Sequence, residues 1–127
     1  MVCKTQNIDS RELEASFCLN EGALGYTFLR AKQYHVEFVD VSNPNNLPCT
    51  YIPLSQDNQS LIAGDIKGVI VVAAFQENSI AGFLAIDTDN IIDLRKLRDN
   101  DVHSVALSWI IDRRKVIRTL WRMKNNV

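Results

Sequence analysis

Val69-Ile70-Val71-Val72-Ala73-Ala74-Phe75 decides the fold. The run is β-branched in its first half and apolar at every position. A strand with one face in water alternates apolar and polar residues, whereas a strand apolar throughout is covered on both faces. The run therefore predicts a central strand. Gln76-Glu77-Asn78-Ser79 follows it, polar and turn-forming, and Ile80–Ile86 is apolar again. The two runs predict a hairpin with a four-residue loop.

Toward the N-terminus, Gly64-Asp65-Ile66-Lys67-Gly68 reads as a turn and Leu61–Ile62 as a short strand. Ser55–Ser60 reads as a polar loop. Cys49–Leu54 predicts another strand, held to an edge by Pro53, which has no N–H for a ladder. Tyr34–Val41 alternates, with Tyr34, Val36 and Phe38 on one face and His35, Glu37, Val39 and Val41 on the other. Asn43-Pro44-Asn45-Asn46 ends it. Further upstream, Asp9 and Glu12 have capping-box spacing. From there Leu13, Phe17, Leu24, Phe28 and Ala31 fall within about 60° of a helical wheel. Gly22 and Gly25 predict a kink or break near Gly22.

Toward the C-terminus, Asp87–Asn90 reads as a turn and Ile91–Leu94 as a strand or short turn. Asp101–Lys124 then predicts one long amphipathic helix, with N-cap candidates in Asp99-Asn100-Asp101. Val102, Val105, Ala106, Trp109, Ile110, Val116, Ile117, Leu120 and Trp121 cover about 160° of it. Trp109 and Trp121 are expected to anchor the core. Leu107 and Ile111 fall off this arc, while Arg113 interrupts it. The fold class is thus α+β: an N-terminal helix, a mostly antiparallel sheet of about four to six strands, and a long C-terminal helix.

At 127 residues with 46% apolar content, the chain is expected to form a single domain, residues 1–127, with a core of its own. Cys3, Cys18 and Cys49 are far apart and form no CxxC pattern, which predicts reduced thiols in a cytoplasmic protein and no structural zinc. No apolar run is long enough for a membrane span, and no cofactor motif is present.

Charge is divided unevenly. From Arg95 onward nine Lys or Arg face three Asp or Glu, a balance of +6; the preceding residues carry five against twelve, a balance of −7. The formal net charge of −1 hides this division. Arg114, Lys115, Arg118 and Arg122 stand on the polar arc of the last helix and are the candidate binding residues for an anionic partner. Leu107, Ile111 and Arg113 are the candidate interface residues.

Four residue patterns bear on catalysis or ligand binding. Asp65-Ile66-Lys67 resembles the D-x-K half of the PD-(D/E)xK nucleases, with Asp40 upstream and Glu12, Glu14 or Glu21 as further acids. It departs from them in lying between two glycines, in a turn. Asp87-Thr88-Asp89-Asn90 fails the calcium-loop template, since Ile92 stands where Gly is required and Arg98 where Glu is required. His35 and Glu37 share a strand face at acid–base spacing. Gly22–Gly25 lacks the strand and the Lys-Ser/Thr ending of a phosphate loop. The expectation is a binding or interaction domain that forms a homo-oligomer, without catalysis of its own. An acidic protein is a second partner class, and nucleic acid, bound or cleaved by way of the basic helix, is the alternative reading.

Overall fold

The computed structural model describes residues 18–61 and 65–125, the side chains of Trp121, Lys124 and Asn125 excepted. The Asp9–Glu12 helix start, Leu13, Phe17 and Ile62 lie outside the described residues, as does the core role expected of Trp121. The elements are α1 (Gly22–Arg30), β1 (Val36–Asp40), α2 (Gln56–Leu61), β2 (Gly68–Gln76), β3 (Ser79–Thr88), α3 (Ile91–Leu97), α4 (Asn100–Asp112) and α5 (Arg114–Asn125). The architecture is α+β, with the antiparallel sheet ordered β1-β2-β3.

β2 is the central strand, as its sequence requires. Ile70 and Val71 are fully buried although their side chains point to opposite faces. One face carries Ile70, Val72 and Ala74, which pack with Leu97, Ala106 and Ile110 from α3 and α4. Val36, Phe38, Leu84, Val102, Leu107 and Ile117 complete that cluster. The other face carries Val69, Val71 and Ala73, with Val39 beside them in register. There α1 covers the sheet, and Phe28 meets Phe83 of β3 at 6.5 Å between ring centroids. Each buried Val or Ile contributes about 1.5–3 kcal/mol, so β2 is the largest apolar investment in the chain.

The hairpin is tighter than expected. Its turn is Glu77-Asn78, with φ of 53° and 64°, so two residues rather than four connect the strands. Both sit in the left-handed region that a right-twisted hairpin demands. The register shifts between Ala74 and Phe75, which face Gly82 and Ile80, leaving Ala81 as a bulge.

Three expected strands do not form among the described residues. Cys49–Leu54 follows Pro48 and contains Pro53, and only Ile52 pairs, in an isolated parallel bridge to Glu21. Ser55–Ser60 forms most of α2 instead of a loop, with Ser55 Oγ accepting from Asn58 N at 3.2 Å. Leu61 ends that helix rather than starting a strand. Ile91–Leu94 belongs to α3, because Asn90 Oδ1 caps it by accepting from Ile92 N at 2.8 Å.

The long C-terminal helix is two helices. Arg113 leaves helical geometry with φ −102° and ψ 13°, and its N–H turns back to the carbonyls of Ile110 and Ile111. A helix over Asp101–Lys124 would run ~36 Å, longer than the ~30 Å of a nine-residue strand. The bend keeps Ile117 against the sheet. Width imposes the second correction. Three strands span little more than one helix diameter, and α3, α4 and α5 share that face. Each buries only a narrow stripe. Val105 is 70% exposed, Val116 59% and Trp109 42%, so Trp109 is not the core anchor its spacing suggested. Leu107, expected to face away, packs on the core instead.

Two glycines test this packing. A Cβ on Gly25 would lie 2.3 Å from the Cys18 carbonyl oxygen, whereas one on Gly82 would meet nothing within 4 Å. Gly25→Ala is expected to cost about 1–3 kcal/mol in a denaturant titration. Gly82→Ala is expected to be neutral or to stabilise by up to about 0.5 kcal/mol. Equal effects from both would contradict the close approach of α1 to Cys18.

Candidate interaction surface on the C-terminal helices

Ion pairing separates the basic residues into two groups. Arg30 reaches Glu37 at 3.5 Å, Lys96 reaches Asp93 at 3.1 Å and Lys67 reaches Asp65 at 2.5 Å. Arg98 pairs with Asp40 and lies over the Phe38 ring. Arg114, Lys115, Arg118 and Arg122 are all exposed, and no carboxylate among the described residues pairs with any of them. Most of the unneutralised positive charge of the C-terminal third therefore lies on α5, with Arg95 on α3 and Arg113 between α4 and α5.

Four of the seven residues singled out from the sequence meet in one place. Leu107, Ile111, Arg114 and Arg118 line a cavity of about 200 Å³ at the Gln76 end of the sheet. Ile110, Ile117 and Phe75 supply its other apolar walls, and Gln33, Tyr34, Gln76 and Glu77 its polar ones. Lys115 and Arg122 are not part of it. Ile111, expected on the polar side, is a half-buried wall of this cavity.

Arg113 stands elsewhere. Its guanidinium lies 4.0 Å from the centre of the Trp109 ring, and Nη1 donates to the Trp109 carbonyl at 3.3 Å. Arg113 is exposed, so its charge is not buried among apolar groups. With Ser104, Val105, Ser108, Trp109 and Asp112 it lines a shallow depression of about 330 Å³ on the outer face of α4. Sequence spacing missed this surface because it assigned Val105 and Trp109 to the core.

The nuclease-like residues are each engaged separately. Asp65 and Lys67 pair with one another. Burial alone would raise the Asp40 carboxyl, but hydrogen bonds from Ser42 and the Arg98 guanidinium outweigh it and hold it below the usual range. Glu21 is a buried structural acid: it accepts from Cys18 N at 2.9 Å, Ser55 N at 2.9 Å and Asn58 Nδ2 at 2.7 Å. Among the described residues no group of three or more His, Cys, Asp or Glu is arranged to hold a metal ion. His35 and Glu37 do meet, at 2.8 Å, in an exposed contact that Glu37 also shares with Arg30. No described helix is long and apolar enough to cross a membrane. Comparison with family models, with curated proteins and with solved structures finds no match.

Glu21 was visible in the sequence only as one acid among several. Its neighbours carried the signal: Asn20 and Gly22 both take positive φ, 66° and 62°, and turn the chain around the carboxylate. Gly22 N then donates to Ile52 O at 2.9 Å, and Ile52 N to Asn20 O at 2.8 Å.

Two outcomes follow from these contacts. The Cys18 and Ser55 amides and the Asn58 side chain hold the Glu21 carboxyl down at about 2, against the usual 4.5. Its contribution to stability is complete above pH 4.5 and is lost as pH falls toward 2, because the unfolded chain takes up the proton first. Glu21→Gln should therefore be less stable than the parent at neutral pH, with the gap narrowing over that window in denaturant titrations. A gap independent of pH would refute the assignment. Arg114→Gln/Arg118→Gln/Arg122→Gln should change the unfolding free energy by less than about 0.5 kcal/mol per substitution, since no ion pair is lost. A larger loss would mean that the stripe is held by an acid of the same chain.

Proposed function

We propose that the protein is a small binding domain that self-associates through the outer face of α4. The observation that carries this reading is the exposed Val105–Trp109 stripe, which the narrow sheet leaves uncovered. Trp and Arg dominate the binding energy of protein interfaces, and here Arg113 already stacks on Trp109. The stripe is also complementary to itself. Asp101 stands near one end of α4 and Arg113 immediately past the other. Two copies packed antiparallel about a two-fold axis midway between Val105 and Trp109, on the outer face of α4, would set Val105 against the partner's Trp109. The same pairing would bring Asp101 to the partner's Arg113, as an isologous contact requires.

An alternative reading rests on a different observation, the arginines of α5 that no carboxylate among the described residues pairs with. Arg114, Arg118 and Arg122 recur every four residues, so each turn offers one cation to an extended anionic surface such as a nucleic-acid backbone. Retention on heparin at two salt concentrations separates the two. A phosphate binder loses affinity steeply with salt, and the triple Gln variant would lose both the retention and the slope.

For the self-association reading, light scattering at micromolar concentration should give the mass of two chains. Trp109→Asp should give one chain with unchanged circular dichroism. Asp101→Arg should weaken the pair, and Asp101→Arg with Arg113→Asp should restore it, because the charges then meet in reverse order. A one-chain mass for the parent protein overturns the proposal. Trp109→Ala in the monomeric state should cost about 1 kcal/mol or less, against the 3–5 kcal/mol of a core aromatic.

A further inference from the structure

We infer that the cavity at the Gln76 end of the sheet binds a small monocarboxylate with a short hydrocarbon tail. Its walls divide by chemistry. Leu107, Ile110, Ile111 and Ile117 offer an apolar surface contributed by α4 and α5. Arg114 and Arg118 stand one helical turn apart on α5 and also line it, with no carboxylate paired to either among the described residues. A planar guanidinium with unused donors is the group best matched to a carboxylate, which accepts two parallel N–H bonds. Apolar walls beside paired cations fit a ligand with a charged head and an apolar body.

Size and charge narrow the class. A cavity of about 200 Å³ holds six or seven groups of water size, at ~30 Å³ each. That accommodates a head group and a chain of a few carbons. Glu77 also lines the cavity. With Glu77 the charged lining residues sum to +1, so a singly charged head is favoured over a phosphate dianion. The amides of Gln33 and Gln76 supply further donors at the polar wall. The site is on the other side of α4 from Val105 and Trp109, so it stands or falls independently of the two-fold contact.

The test is an amide chemical-shift titration of the full chain with sodium hexanoate, followed at Gln33, Leu107 and Ile111. Acetate, which has the head alone, and 1-hexanol, which has the tail alone, are titrated alongside. Hexanoate should give saturable shifts at these residues in the low-millimolar range. Acetate and 1-hexanol should each bind at least about tenfold more weakly. Arg114→Gln/Arg118→Gln should weaken hexanoate binding by at least about tenfold, with the light-scattering mass unchanged. Absence of saturable shifts with hexanoate overturns the inference. So does equal binding of acetate or of 1-hexanol, or an unchanged affinity in the double variant.

Discussion

The double burial of β2 is the constraint from which the rest of the structure follows. Val69, Val71 and Ala73 must be covered on one side and Ile70, Val72 and Ala74 on the other. With helices before and after the sheet in the chain, α1 closes one face and α3, α4 and α5 the other. Among the described residues the sheet is three strands wide, so that second face cannot absorb all the apolar surface the three helices bring. The surplus stays exposed, as Ile91 and Ile92 on α3, Val105 and Trp109 on α4, and Val116 and Met123 on α5. The surfaces proposed for partners are thus the remainder of the packing problem that β2 sets.

A second organising centre is polar. Glu21 gathers Cys18, Ser55 and Asn58 around one carboxylate, and the Glu21–Ile52 bridge lies beside it. A buried anion is costly unless its lone pairs are satisfied. Here three donors satisfy them, and the start of a helix contributes its positive end. The arrangement fixes the irregular segment between β1 and α2 to the start of α1. That segment carries Pro48 and Pro53 and has little regular structure to hold it otherwise.

What the sequence made legible was governed by local pattern. The apolar run of β2, its hairpin with β3 and the Asp99 start of α4 follow from spacing and capping alone. Helix in place of a strand or short turn at Ile91–Leu94 goes with the Asn90 cap. The bend at Arg113 had no Gly or Pro to announce it, since its cause is the length of the sheet, a tertiary quantity. The same holds for Trp109: the helical wheel gives its direction, but only sheet width decides which directions are buried. The grouping of Leu107, Ile111, Arg114 and Arg118 in one cavity likewise depends on that bend. Spacing pairs Leu107 with Ile111 and Arg114 with Arg118, but does not bring the two pairs together.

The two seams of the sheet differ in how the chain closes them. β2 and β3 are joined by Glu77-Asn78, so their pairing is local and forms on the microsecond scale of a hairpin. β1 pairs with β2 only after the whole segment from Asp40 to Gly68 has been looped back. That closure costs entropy that rises by about 0.6 kcal/mol with each doubling of length. β1 is also the shorter edge, at five residues against ten for β3. The order of assembly is therefore written into the connections: β3 is present when β2 first finds its helices, and β1 arrives last. In reverse, the β1 seam is where the folded molecule opens most readily. Such an opening would uncover Val36 and Phe38, one edge of the main core, while leaving the hairpin and its helices in place.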